Sequence, residues 1–150
     1  MNGIAVQLNN FLEEYYAELQ GMDESVVSPK PAPDKWSKKE LMGHLIDSAQ
    51  NNLRRFIVAQ YEMQPEIRYQ QDAWVALNHY QQWNWKELIH LWFLTNKQIA
   101  HVLQNTAPEN LQRLCQTENV HTLEWLATDY IKHLQHHLHQ VLNLDPIPYP

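Results

Sequence analysis

Glycine and cysteine are scarce in this sequence: three glycines and one cysteine in 150 residues. So few glycines, with long stretches free of proline, argue against a turn-rich β fold and favour helices. The single cysteine, Cys115, cannot form an internal disulfide, which suits a reducing compartment. It lies between helices with no base implied nearby, so an inert thiol is expected there rather than a nucleophile. No apolar run approaches the roughly 20 residues of a membrane span. The opening MNGIAVQLNN lacks the basic segment and apolar run of a signal peptide. A cytoplasmic location is therefore expected. Clustered positive charge is also missing: the 11 lysines and arginines are scattered and the formal net charge is −6. Neither nucleic acid nor an anionic membrane is an expected partner of such a surface.

What is present is an ordinary apolar fraction, 44%, with six tryptophans and seven tyrosines. A chain of this length fits one domain, residues 1–150, and buries roughly 70% of its unfolded surface. Four amphipathic stretches alternate with turn signals. The first runs from about Gly3 to Gln20, with Ile4, Leu8, Phe11, Leu12, Tyr15 and Leu19 on one stripe and Gly21 at its C-terminal cap. The linker SPKPAPDKW excludes helix through its three prolines and permits a crossover after helix one. Ser37-Lys38-Lys39-Glu40 reads as a capping box opening the second helix, which is expected to reach about Met63, before Pro65. A partial helix is expected around Asp72–Tyr80. Asn84-Trp85-Lys86-Glu87 offers a second box opening a helix to about Gln104, and Thr122 caps a last helix to about Asn143, ended by Asp145-Pro146-Ile147-Pro148. The expected fold is therefore all-α, a four-helix bundle.

Nine histidines are sorted by helix geometry. On the last helix Leu123, Tyr130, Leu134, Leu138 and Val141 define the apolar face. At 100° per residue His137 lies about 60° from its centre and His133 about 100°, on the same side. One turn apart, both imidazoles reach a common point. His136 and His139 fall on the far face and are expected in water. On the second helix a polar file of His44, Ser48, Asn51 and Arg55 borders the apolar face of Met42, Leu45, Ala49, Leu53 and Phe56. Such a file suits one wall of a pocket. His90 and His101 read as solvent residues, and His79 and His121 sit near element ends. The triplet His44, His133 and His137 is thus a candidate metal site, set against chance pairing in a His-rich chain and a locally hydrogen-bonded His44.

Several segments in order carry a resemblance: Trp36-Ser37; His44-Leu45-Ile46-Asp47-Ser48 with Asn51 and Arg55-Phe56; Tyr69 with Asp72-Ala73-Trp74; and Asp129-Tyr130-Ile131-Lys132-His133-Leu134-Gln135-His136-His137 with Gln140. Their spacing, over nearly the whole chain, resembles the DinB-like superfamily, especially its branch of metal-dependent hydrolases and bacillithiol-transferase-like proteins. The resemblance implies a four-helix bundle, usually dimeric, with one divalent metal in a cleft on His44, His133 and His137. The extra His136 also allows a shifted pairing with His139 or Gln140, which the face argument disfavours.

Three neutral imidazoles leave open coordination positions, as catalytic rather than closed structural sites do. An ion there lowers the pKa of bound water, for hydrolysis, or binds a thiolate, for transfer of a low-molecular-weight thiol to a small electrophile. Zinc or nickel suits an all-nitrogen site. Asp47 is either an orienting neighbour of His44 or a surface carboxylate. Arg55 and Asn51 are candidate substrate contacts, Arg55 for a carboxylate, with a plain surface arginine as the alternative. Trp74 is expected to fill core. The rival classes are a metal-free interaction bundle and a non-catalytic metal-binding protein. Inward Glu-rich motifs are lacking, which argues against di-iron chemistry. A homodimer through an apolar helix face is expected.

Overall fold

The structure, a computed structural model, describes residues 1–150. Four long helices dominate: α1 (Asn2–Gln20), α3 (Lys38–Val58), α5 (Trp85–Gln104) and α6 (Leu123–Leu142). Two short ones, α2 (Glu24–Val27) and α4 (Gln71–Asn78), and a hairpin of β1 (Leu114–Gln116) and β2 (Val120–Thr122) fill the connections. Helix α1 packs on α5, α5 on α3, α3 on α6, and α6 back on α1. The consecutive helices α1 and α3 are therefore diagonal in the bundle, so the proline linker between them is the crossover the sequence allows.

Local chemistry sets the helix ends. At Ser37 the full capping box forms: the Glu40 amide donates to the Ser37 hydroxyl at 3.1 Å, and the Ser37 amide donates to the Glu40 carboxylate at 2.8 Å. Only half of the expected box forms at Asn84, whose side chain accepts from the Glu87 amide. The Trp85 amide, at the first helical position, donates to the Glu24 carboxylate of α2. The inward stripes meet in one core in which Leu8, Leu12, Phe56, Trp85, Trp92 and Leu134 are fully enclosed.

Two expectations change. Helix α3 ends at Val58 rather than near Met63. Residues 59–64 form tight turns, Gln64 takes a left-handed φ of 51°, and the Arg113 side chain donates to the carbonyls of Ala59 and Glu62, replacing the helical bonds they would have made. The connection before α6, expected as plain loop, holds the hairpin, with Cys115 opposite His121. Backbone bonds from Gln116 N to Pro65 O and from Ile67 N to Gln116 O pin the segment after α3 against it. Cys115 is buried, and burial pushes its thiol up, which disfavours the reactive thiolate.

Candidate metal centre

Helices α3 and α6 lie side by side, and the facing edges carry the histidines. His44 Nε2 approaches His133 Nε2 to 3.0 Å, and the rings of His44, His133 and His137 stand edge to face at 4.7–5.0 Å between centroids. One ligand nitrogen from each falls within 4.8 Å of the others, so the three could hold a metal ion. Two imidazole nitrogens bound tetrahedrally at about 2.0–2.1 Å are about 3.3–3.4 Å apart, close to the His44–His133 spacing. The donor set therefore fits a divalent ion.

Burial keeps these imidazoles neutral, as ligands must be. Burial, then the neighbouring His137, depresses His44 to about 4. Burial, then His44, His137 and His136, depresses His133 to about 3. His137 is lowered by burial, opposed by its hydrogen bond to Gln140 at 2.8 Å. The indole of Trp36 packs on the His44 ring, with centroids 5.0 Å apart.

Asp47 is fully buried, not a surface carboxylate. Its Oδ1 accepts from the Tyr80 hydroxyl and from Asn78 Nδ2, and burial raises it to about 6. Its Oδ2 has no partner, and neither does the buried Nδ1 of His44 one turn earlier. Gly43 makes room for this arrangement, because a Cβ there would fall 2.0 Å from Cδ2 of Tyr80.

His133 and His137 border a cleft of about 670 Å³ between α3, α6 and the hairpin, and His44 is buried behind them. From α3 it is lined by Ser48, Asn52 and Arg55. Asn51, expected on this wall, instead donates to the Asp47 carbonyl of its own helix and does not line the cleft. Asn52 takes its place, so the file runs in steps of four, four and three residues where four, three and four was expected. Trp74, expected to fill core, is instead half-buried against Tyr69 outside the core, and of the two only Tyr69 lines the cleft. On α6, Trp125 and Asp129 precede His133 at four-residue steps and line the cleft with it. That spacing, visible in the sequence, could have singled out Asp129. His121 stacks on Trp125 with centroids 3.6 Å apart.

His136 and His139, expected in water, are half-buried by the returning C-terminal segment. Asn143 turns left-handed (φ 55°), and residues 144–150 fold back along α6. His139 Nδ1 meets the Asp145 carbonyl at 2.7 Å, His136 Nδ1 meets the Ile147 carbonyl, and the Tyr149 hydroxyl donates to Asp129 at 2.9 Å. Tyr149 thereby joins the cleft wall, its ring 5.3 Å from that of His133. His79, His90 and His101 are exposed and take no part in the cluster.

Fold and site define a class: a crossed four-helix bundle carrying a three-histidine cluster able to hold metal at the edge of a cleft. The chain belongs to the DinB superfamily, whose family model matches residues 7–141. Among solved structures it is similar to YfiT from Bacillus subtilis, described as a probable metal-dependent hydrolase with an unusual four-helix bundle topology. That likeness has a TM-score of 0.78 at 23% identity and covers 93% of this chain and 84% of YfiT. No curated protein matches the sequence.

Proposed function

We propose that this protein is a metal-dependent enzyme in which His44, His133 and His137 hold one divalent ion, zinc or nickel, that acts on a small molecule bound in the adjoining cleft. The observation that carries this is the convergence of one buried and two half-buried imidazoles, held neutral, beside an open cleft. A closed structural site would have a fourth protein ligand, and only three ligating side chains are gathered here. When bound, such an ion supplies an activated water or thiolate at neutral pH. The description of YfiT favours water as the nucleophile and hydrolysis as the reaction. Thiol transfer to an electrophile uses the same open position.

The chain's own residues supply the rest. Asp129 stands on the cleft wall one helical turn before His133, with Oδ2 held by Tyr149, and is placed to accept a proton. Asp47 Oδ2 and His44 Nδ1 are each unpartnered and do not bond to one another; Asp47 instead accepts from Tyr80 and Asn78, which anchors the turn of α3 that carries His44. The test compares zinc- and nickel-loaded protein on an activated ester and on cysteine with monobromobimane. Metal-dependent turnover of one of these, lost in His44→Ala, is expected. Retention of metal without metal-dependent turnover of either would replace this proposal with a non-catalytic metal-binding bundle.

A further inference from the structure

Arg55 is a half-buried cation on the cleft wall with no carboxylate partner: none of the four ion pairs in the molecule includes it. Its position is nevertheless fixed. Nε and Nη2 donate to the Ile67 carbonyl at 3.2 and 2.9 Å, Nη1 donates to Asn52 Oδ1 at 3.3 Å, and the guanidinium lies 5.9 Å from the Tyr69 ring centre. These bonds use three of the five N–H donors of a guanidinium and leave two. Arg55 borders both the cleft beside the histidines and a second one of about 610 Å³ that continues past Tyr69. A partly desolvated, braced guanidinium with spare donors and no carboxylate in ion-pair contact, Asp129 and Glu118 acting on it only from farther off, is a built receptor for a carboxylate.

Its distance from the histidines sets the ligand's shape. Arg55 Nη1 donates to Asn52 Oδ1 at 3.3 Å, Asn52 Nδ2 to Ser48 Oγ at 3.3 Å, and Ser48 Oγ lies 3.5 Å from His133 Nδ1, so three polar contacts, on the order of 10 Å, separate the guanidinium from the nearest ligand imidazole. A ligand reaching both ends must be elongated, with its metal-binding group at one end. The wall between is largely aromatic on the α6 side, with Trp125 and Tyr130. Asp129 and Glu118 also line the cleft and disfavour further negative charge.

We propose that the substrate is an elongated small molecule bearing one carboxylate, which docks on Arg55 while its reactive group reaches the three-histidine site. This rests on the metal-enzyme assignment above and specifies its substrate class. Arg55 discriminates among substrates and takes no part in the bond-making step.

The test uses cobalt-substituted protein titrated with mercaptoacetate, mercaptohexanoate and mercaptoundecanoate, each beside its methyl ester. The thiolate-to-cobalt absorption band reports binding at the metal. Mercaptohexanoate or mercaptoundecanoate is expected to bind roughly tenfold or more tightly than its ester, the scale of a charge-assisted hydrogen bond. Mercaptoacetate, too short to reach Arg55, should show no such preference. Arg55→Gln should remove the preference while keeping the band, and Arg55→Lys should keep part of it. Equal binding of acid and ester at every length, or a preference that survives Arg55→Gln, overturns the proposal. Absence of the band with every thiol refutes the metal site instead. The Arg55 end is then read separately by thermal shift of metal-free protein. Hexanoate should stabilise the wild type more than hexanol does and should lose that advantage in Arg55→Gln; equal effects of hexanoate and hexanol on the wild type overturn the Arg55 assignment.

Discussion

A buried histidine held neutral ties stability to pH. His44 and His133 lie well below the ordinary value in the fold, at about 4 and about 3, so the unfolded chain takes up their protons first on acidification, from about pH 6.5. Stability from these groups is complete above about pH 6.5 and is lost as pH falls towards 4. Asp47 works in the opposite direction. Raised from 3.8 to about 6, it keeps a proton in the fold that the unfolded chain has released, so its contribution is present in acid and is lost as pH rises through about 6. With His137 lowered as well, three histidines oppose one carboxylate. Metal-free protein should therefore be less stable to urea at pH 5 than at pH 7, and His133→Leu should flatten that difference. A pH-independent urea midpoint in the wild type would show that the histidines are not buried as described. His136 and His139 have another task, holding residues 144–150 against α6. Replacing both with Ala should speed hydrogen exchange across that segment and leave metal content unchanged, as mass spectrometry and elemental analysis would show.

Among the elements, α3 does most of the positioning: one face fills the core and its edge supplies His44, Ser48, Asn52 and Arg55 to the site. Its closest approach is at Gly43, where the Tyr80 ring lies against the backbone and its hydroxyl reaches Asp47. A methyl there collides with a buried aromatic ring, so Gly43→Ala should destabilise the protein by about 1–3 kcal/mol, as overpacked cores do. Thermal denaturation would check this, and an unchanged Tm would contradict the packing. The caps at Ser37 and Thr122 and the inward stripes were legible in the sequence because each depends on side chains a few residues apart. The early end of α3 was not, since it depends on Arg113, more than fifty residues away. The hairpin also escaped, because three-residue strands of mixed polarity carry no usable period. Asn52 escaped because Asn51 and Asn52 both continue the file in three- and four-residue steps, and helical spacing alone does not choose between them.

For the whole molecule, a bundle in which consecutive helices stand diagonally brings α3 beside α6, and that pairing makes the site. Helix faces read from sequence could nominate His44, His133 and His137, since each lies at the border of an apolar stripe. Only the tertiary pairing shows that they meet, and only the returning C-terminal segment explains His136 and His139. Because the core is built from all four long helices and does not depend on the histidines, the fold should survive their loss. His44→Ala is expected to retain the wild-type far-ultraviolet circular dichroism spectrum, and a collapse of helical signal would make that histidine structural. The central claim is that one divalent ion sits on three named side chains. The most direct test is elemental analysis of wild-type protein reconstituted with zinc and desalted, beside His44→Ala, His133→Ala, His137→Ala and His139→Ala. The account predicts about one ion per chain in wild type and His139→Ala, and near zero in the other three. A wild type that keeps no metal, or a His44→Ala variant that keeps all of it, would contradict it.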